Sequence, residues 1–187
     1  MKTLYIDTHL WDIIIILFSD GKIKQKKEVI NKKNNSKFIF PAIVEVLGDE
    51  KIDNIIVVNG PGSFTGVRLG VTIAKTFAYT LGIPIRAISS LECLAISSSK
   101  KSVAIDDNNG YYVGYFNEDN TIKSNYVYLS KKNECDLSKI TLSDDIKLDY
   151  LKIYDFVLKN KKNINPHEVF PLYVKKLELN CDKECKN

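Results

Sequence analysis

Arginine and histidine are scarce in this chain of 187 residues. Only Arg68 and Arg86 are arginines among its 27 basic residues, and only His9 and His167 are histidines. Surfaces that bind nucleic acid usually use arginine for bidentate contacts and gather their basic residues on one face. Here the net charge is only +4 and the lysines are scattered in short clusters, such as residues 22–27. Charge alone therefore does not predict a nucleic-acid-binding protein.

Long apolar segments and paired cysteines are also missing. No stretch approaches the roughly 20 apolar residues that cross a bilayer, and the N-terminus enters a strand-like pattern without the features of a signal peptide. The four cysteines form no Cys-x-x-Cys pair, and Cys181 and Cys185 are interpreted as isolated thiols in a polar tail. We therefore expect a cytoplasmic protein with no membrane contact, no disulfide framework and no metal.

Apolar periodicity predicts an α/β chain that begins with a hairpin. The predicted strands cover residues 2–7, 11–18, 22–30, 54–58 and 83–88, and the predicted helices cover residues 36–47, 66–81 and 91–96. A second hairpin over residues 103–116 then opens a smaller mixed segment, with a helix near residues 148–159. We expect an N-terminal subdomain over residues 1–98 and a smaller C-terminal subdomain over residues 99–187.

The first two predicted helices are more apolar than a small domain needs. In residues 36–47 the non-apolar side chains after the first residue form one narrow stripe, so apolar side chains cover most of the helix circumference. A surface helix needs an apolar arc of only about 100°. Pro41 is expected to bend or restart this helix. Either both helices are internal, or a second face meets another protein. The residues assigned to that partner face are Phe38, Ile39, Ile43, Val46 and Leu47 of the first helix and Val67, Leu69, Val71, Ile73, Ala74, Phe77 and Ala78 of the second.

A glycine-rich turn, GPGSFTGVRLG at residues 60–70, joins the apolar strand 54–58 to the second helix. Such a turn can present backbone N–H groups to an anion. Its spacing fits neither the Walker pattern nor the dinucleotide pattern. Spacing alone favours a tight structural turn, with Thr65 as the helix cap, over a nucleotide site. The loop residues that carry both interpretations are Gly60, Gly62, Ser63, Thr65, Gly66 and Arg68.

As a longer string, residues 60–70 with the following residues 81–84 closely resemble the TsaB family, also called YeaZ. The resemblance extends to residues 6–8, 103–106 and 171–175. It implies an actin-like, Hsp70-like α/β fold with two related subdomains, of which the second is reduced here. It also implies a role in making threonylcarbamoyladenosine beside the tRNA anticodon.

The resemblance further implies that the chain performs no chemistry itself. In the family, the acyl group is transferred by a paralogue, TsaD, which pairs with TsaB through the helices that correspond to residues 36–47 and 66–81. The implied partners are therefore a TsaD-like paralogue, then a TsaE-like ATPase, with tRNA contacted only indirectly and a homodimer formed when the chain is alone. The sequence departs from the family at His9, where serine is usual, and at residues 106–108, where Asp-Ala-Arg is usual.

Two enzyme hypotheses serve as alternatives. A metallopeptidase of the M22 type needs His-x-x-x-His on a helix, and the two histidines are far apart in sequence. An actin-like ATP-binding enzyme would use Asp7 and Thr8, which follow the first strand where that superfamily contacts phosphate and magnesium. The competing interpretation is a carboxylate that accepts hydrogen bonds from local backbone N–H groups. We expect no required cofactor, with a weak ATP or ADP contact at the subunit boundary left open.

Overall fold

The computed structural model describes residues 1–10, 12–30, 35–131 and 138–175. In these ranges the chain forms nine strands, four α-helices and three short 3₁₀ turns. The strands are β1 (Lys2–Asp7), β2 (Ile13–Ser19), β3 (Lys22–Val29), β4 (Asn54–Val58), β5 (Ile85–Ile88), β6 (Ser102–Asp106), β7 (Gly110–Tyr115), β8 (Val127–Ser130) and β9 (Thr141–Leu142). The helices are α1 (Ile39–Leu47), α2 (Phe64–Leu81), α3 (Ser90–Ser97) and α4 (Tyr150–Asn160), and the 3₁₀ turns are Asn35–Lys37, Ser143–Asp145 and Pro166–Glu168.

The first sheet has five strands in the order β3-β2-β1-β4-β5. Strands β1, β2 and β3 are antiparallel neighbours, whereas β1, β4 and β5 run parallel. The predicted hairpin between β2 and β3 is confirmed, and its turn residues Asp20 and Gly21 have φ angles of 50° and 78°. Asparagine, aspartate and glycine are the residues that tolerate such positive angles.

Helices cover both faces of the first sheet. In β2, Ile13, Ile15 and Leu17 face the layer of α1 and α2, while Ile16 and Phe18 face the layer of α3 and α4. This alternation follows from the two-residue period of a strand. Because both faces are covered, the central strands are apolar throughout, and all five residues of β4 are buried.

The second sheet has four strands in the order β8-β7-β6-β9 and packs on the outer side of α3. Helix α3 is enclosed between the two sheets, and every residue from Ser90 to Ile96 is buried. Helix α4 belongs to the predicted C-terminal subdomain by sequence, yet Ile153, Tyr154 and Val157 pack against the first sheet. The division between residues 98 and 99 stays a prediction.

The helix predicted over residues 36–47 is shorter than expected. A 3₁₀ turn occupies Asn35–Lys37, and α1 begins at Ile39. The α-helix begins two residues before Pro41 and therefore does not restart at it, whereas the predicted bend stays a prediction. Pro41 is the third residue of α1. Because the first four N–H groups of a helix have no carbonyl partner within it, a proline at this position removes no hydrogen bond from the helix. Within the described ranges, none of the helices combines the length and apolar content needed to span a membrane.

Cys93 on α3 is fully buried, and burial raises the pKa of its thiol well above the usual range. The other three cysteines, Cys135, Cys181 and Cys185, lie outside the described residues. Because the thiolate is the reactive form, we expect iodoacetamide at pH 8 to leave Cys93 unmodified in the folded protein and to modify it in guanidinium chloride. Peptide mapping by mass spectrometry checks this. Equal labelling rates in both conditions would contradict the buried position.

Candidate functional site

The glycine loop connects the end of β4 to the start of α2, as the sequence predicted. Ser63 caps α2, because its Oγ accepts a hydrogen bond from the Gly66 N–H at 3.3 Å. The predicted cap, Thr65, is instead an exposed residue in the first turn of the helix. The sequence prediction placed the cap two residues too late. Serine and threonine are both typical N-cap residues, so the sequence alone did not distinguish Ser63 from Thr65.

Three glycines of this loop and helix allow the backbone to approach the segment after β1. A Cβ atom on Gly62 would overlap the carbonyl oxygen of His9, and one on Gly66 would overlap the carbonyl oxygen of Thr8. A Cβ on Gly70 would overlap the Thr8 hydroxyl. Hydrogen bonds hold the contact, since the Ser63 N–H donates to the His9 carbonyl at 2.7 Å and the Thr8 hydroxyl donates to the Gly66 carbonyl at 2.7 Å. These glycines therefore serve packing between β1 and α2.

Asp7 is buried and already engaged within the chain. Its Oδ1 accepts from the His9 N–H at 3.1 Å and lies 2.5 Å from His9 Nδ1, and its Oδ2 accepts from the Tyr5 hydroxyl at 3.3 Å. This arrangement matches the interpretation in which the carboxylate satisfies local donors. His9 Nε2 is buried without a hydrogen-bond partner in the described part of the chain.

The described residues contain no group of three or more histidine, cysteine, aspartate or glutamate side chains that could hold a metal ion. The two histidines have different surroundings: His9 pairs with Asp7, whereas His167 packs edge-on against Tyr79 of α2 at a ring distance of 5.1 Å. The sequence excluded paired histidine ligands at helical spacing, and the structure does not bring these two residues into one cluster.

The structure divides the twelve predicted partner residues into two groups. Seven of them are buried in the chain's own core: Ile39, Ile43, Val46, Val67, Val71, Ala74 and Ala78. The other five are only partly buried at its edge: Phe38, Leu47, Leu69, Ile73 and Phe77. Of the twelve, therefore, only the second group offers surface to a partner without unpacking the core.

An apolar surface does remain on α1 and α2, and we call it the helix face. On α1 it contains Phe40 and Val44, which are 55% and 52% exposed. On α2 it contains residues at four-residue spacing that lie on one side of the helix: Leu69, Ile73, Phe77 and Leu81. The rings of Phe40 and Phe77 join the two helices at a centroid distance of 6.3 Å. The sequence did not assign Phe40, Val44 and Leu81, because periodicity counts apolar positions without showing which arc meets the sheet.

Comparison with known proteins shows which families this chain resembles. Residues 30–108, which include the helix face and the glycine loop, match the family model described as TsaD: tRNA N6-adenosine threonylcarbamoyltransferase. The TsaB protein of Bacillus subtilis, a tRNA threonylcarbamoyladenosine biosynthesis protein, is 43% identical over 100 residues, covering 51% of this chain and 44% of that protein. The TsaB protein of Escherichia coli is 29% identical over 135 residues, covering 65% and 58%. Over these stretches the chain is similar in sequence to TsaB proteins.

Solved structures of YeaZ proteins have the same fold as this chain. YeaZ from Pseudomonas aeruginosa superposes with a TM-score of 0.73 at 18% identity, over 92% of this chain and 99% of that chain. The predicted α/β fold class is thus confirmed, and the fold is the one seen in YeaZ. In sequence, the chain spans about half the length of the curated TsaB relatives that it matches.

Proposed function

We propose that the chain is a non-catalytic subunit that docks on a TsaD-like paralogue. It would support the paralogue while the latter installs threonylcarbamoyl on the tRNA adenosine next to the anticodon. The names of the TsaB relatives indicate this pathway. The observation that carries the docking role is the helix face, since Phe40, Val44 and Leu81 each remain more than half exposed in the folded chain. Contiguous exposed apolar side chains mark interaction surfaces.

The shape of the helix face suits a helical partner. Its two stripes lie on neighbouring helices and repeat every four residues, which is the ridge spacing that packs into the grooves of other helices. A paralogue of similar fold would offer two matching helices and form a four-helix contact. A two-fold axis would bring the same surface of two copies together, so a homodimer is proposed when the paralogue is absent. A TsaE-like ATPase would join the assembled pair, and tRNA would be contacted mainly through the paralogue.

The absence of catalysis by this chain is part of the proposal. Asp7 and Thr8, the candidates for a phosphate or magnesium contact, use their side-chain oxygens in internal hydrogen bonds. No cofactor is required in this proposal, and ATP or ADP would bind only weakly at the subunit boundary. Calorimetry with ATP should show little heat from the lone chain. Tight binding with turnover by the lone chain would instead favour an actin-like ATP-binding enzyme.

Charging the helix face is expected to abolish association with the paralogue. Phe40→Asp and Leu81→Asp place one carboxylate on each helix at positions 55% and 52% exposed, so folding should survive. Two large apolar side chains contribute roughly 3–6 kcal/mol when buried, and therefore the double variant should bind at least about a hundredfold more weakly. Co-purification of the tagged chain with its paralogue, followed by size-exclusion chromatography, measures the loss.

The matched control is Leu151→Asp on α4. Leu151 is 46% exposed and lies on a helix that covers the opposite side of the first sheet. This variant should co-purify with the paralogue as well as the unmodified chain does. If the double variant at Phe40 and Leu81 also co-purified unchanged, the helix face would not be the docking surface and the proposed function would lose its main support.

A further inference from the structure

A second row of side chains runs along the other flank of α2, and all of them are exposed except Lys75, which is half-buried. Phe64, Arg68, Thr72, Lys75 and Tyr79 follow one another at intervals of three or four residues and therefore share one side of the helix. The rings of Phe64 and Tyr79 are 53% and 66% exposed. This row spans about 22 Å, at a rise of about 1.5 Å per residue. It is distinct from the stripe that contributes to the helix face.

The segment over residues 166–175 lies beside this row in the opposite direction. His167 contacts Tyr79, the Phe170 ring lies 4.7 Å from Lys75 Nζ, and the Tyr173 hydroxyl accepts a hydrogen bond from Arg68 Nε at 2.7 Å. Phe170 and Tyr173 are 64% and 56% exposed. We call the combined surface the aromatic–cation ridge; it consists of Phe64, Arg68, Lys75, Tyr79, His167, Phe170 and Tyr173.

The backbone of the segment is fixed, so the rings stand on a rigid support. The Leu172 N–H donates to the Asn59 carbonyl at 2.7 Å, and the Asn59 side-chain amide donates to the Phe170 carbonyl at 3.1 Å. Lys75 Nζ donates to the His167 carbonyl at 3.3 Å. Val169 between the exposed rings is buried in the core beneath α2. The backbone of the segment is therefore held in place while its aromatic side chains remain exposed.

The cations of the ridge are not neutralised by carboxylates. Within the part of the chain that the structure describes, neither Arg68 nor Lys75 lies within 4 Å of an acidic side chain, whereas Lys24, Lys26 and Lys27 of β3 each pair with a glutamate. The Arg68 guanidinium instead lies 3.5 Å from the centre of the Phe64 ring. Charges held among exposed aromatic rings remain available to an anionic ligand.

Arginine at this position is informative because the chain has 25 lysines and two arginines. Arg86 is structural, since it donates to the Asn54 side chain at 2.8 Å and to the Lys161 carbonyl at 3.1 Å. Arg68 is the exposed one. A lysine would supply the same charge, but only a planar guanidinium can stack on a ring and also bind phosphate oxygens through two donors.

We propose that the aromatic–cation ridge binds single-stranded RNA. Aromatic rings interleaved with cations are the combination that such RNA requires, because unpaired bases stack on rings and guanidinium planes while cations contact the phosphates. A protein partner could pack on the rings alone. It would not require cations that lack carboxylate partners, whereas RNA would. The ridge thus provides direct RNA contact in a chain whose overall charge did not indicate it.

A cavity of about 370 Å³ lies at the Phe64 end of the ridge. Its lining includes Arg68, Tyr173 and Lys175 together with Asp107 and Tyr112 of β7. Burial, and then the neighbouring carboxylate of Asp107, raise the pKa of Tyr112 to about 12, so its hydroxyl stays protonated. Lys175 lies 3.7 Å from Asp107. The cavity is large enough to receive one unstacked base.

This inference rests on the proposed function in one respect: the RNA is identified as tRNA because the proposed pathway modifies tRNA. The geometry allows both contacts at once, because the helix face and the ridge occupy different flanks of α2. The paralogue would bind one flank while an unpaired segment of the tRNA lies along the other. Direct contact with tRNA along the ridge would add to the contact that tRNA makes through the paralogue.

Fluorescence anisotropy of a labelled 16-nucleotide oligouridylate with the full chain tests the ridge. Tyr79→Ala and Phe170→Ala should each raise the dissociation constant roughly tenfold, since each removes one stacking ring. Lys75→Gln should reduce the slope of log affinity against log salt by about 0.7. Glu168 is exposed in the same segment, and Glu168→Gln should strengthen binding. Leu151→Ala on α4 is the matched control and should change nothing.

The outcomes separate the ridge from the docking role. RNA binding that is absent at 50 mM salt, or unchanged in the Tyr79 and Phe170 variants, overturns the inference. Ridge variants that lose the paralogue while retaining RNA show a protein surface, which also overturns it. Weaker RNA binding by the ridge variants supports the inference. If Phe40→Asp leaves paralogue binding intact at the same time, the proposed docking function fails while the inference about RNA stands. Circular dichroism melting confirms that each variant is folded.

Discussion

Replacing Gly66 with alanine is expected to lower the free energy of unfolding by roughly 3 kcal/mol or more. In an ordinary helix the same change stabilises by up to about 1 kcal/mol. Here the added Cβ would overlap the carbonyl oxygen of Thr8, and a backbone atom next to β1 cannot move without shifting the sheet. The clash therefore outweighs the gain in propensity. The melting temperature should fall by roughly 6–12 °C, since about 1 kcal/mol corresponds to 2–4 °C in a chain of this size.

Gly70 supplies the control for this prediction. A Cβ at Gly70 would overlap only the Thr8 hydroxyl, which is a side-chain atom. Thr8→Ala removes that atom, so Thr8→Ala should rescue Gly70→Ala but leave Gly66→Ala as unstable as before. A double-mutant cycle measured by urea unfolding gives the coupling energies. Equal rescue of both glycine variants would show that the backbone contact does not govern the packing between β1 and α2.

Ile43→Glu is expected to unfold the chain. The apolar pattern placed Ile43 among the partner residues, yet its side chain is fully buried between α1 and the first sheet. Losing the buried side chain costs about 1.5–3 kcal/mol, and burying a carboxylate without a partner costs several kcal/mol more. The sum approaches the whole stability of a typical domain, about 5–15 kcal/mol. Circular dichroism at 25 °C should show lost helix and sheet signal.

The neighbouring residue gives the matched comparison. Val44 is 52% exposed on the helix face, so Val44→Glu should leave the melting temperature within a few degrees of the unmodified chain. It should nevertheless weaken association with the paralogue, measured by co-purification. A folded Ile43→Glu variant that had lost only the paralogue would reverse the assignment of inner and outer faces on α1.

Regular elements of the first sheet were largely predictable, for a simple physical reason. A strand covered on both faces, such as β4, must be apolar throughout, and a helix that begins after a glycine turn carries its own boundary signals. The prediction placed β4 at residues 54–58 and β3 at residues 22–30, and both are observed within one residue. The glycine string was equally informative, because it carried the resemblance to the TsaB family even though its spacing excluded two familiar phosphate motifs.

The candidate surfaces were less predictable, since they depend on how helices sit on the sheet. Periodicity correctly indicated excess apolar surface on α1 and α2. It could not show that Phe40 and Val44 face outward while Ile43 faces the sheet. The aromatic–cation ridge was invisible in the sequence, because Arg68 and Tyr173 are 105 residues apart and meet only in the folded chain.

By itself, the sequence determined the order of the strands of the first sheet and its helices, the resemblance to the TsaB family, and the presence of two helices with surplus apolar side chains. Those features depend on local patterns of apolar, glycine and turn residues. Only the tertiary structure decided which arc of each helix is buried, why Gly66 must lack a side chain, and which cations meet which rings. Those outcomes depend on the directions in which packed elements approach one another, and a linear pattern does not contain those directions.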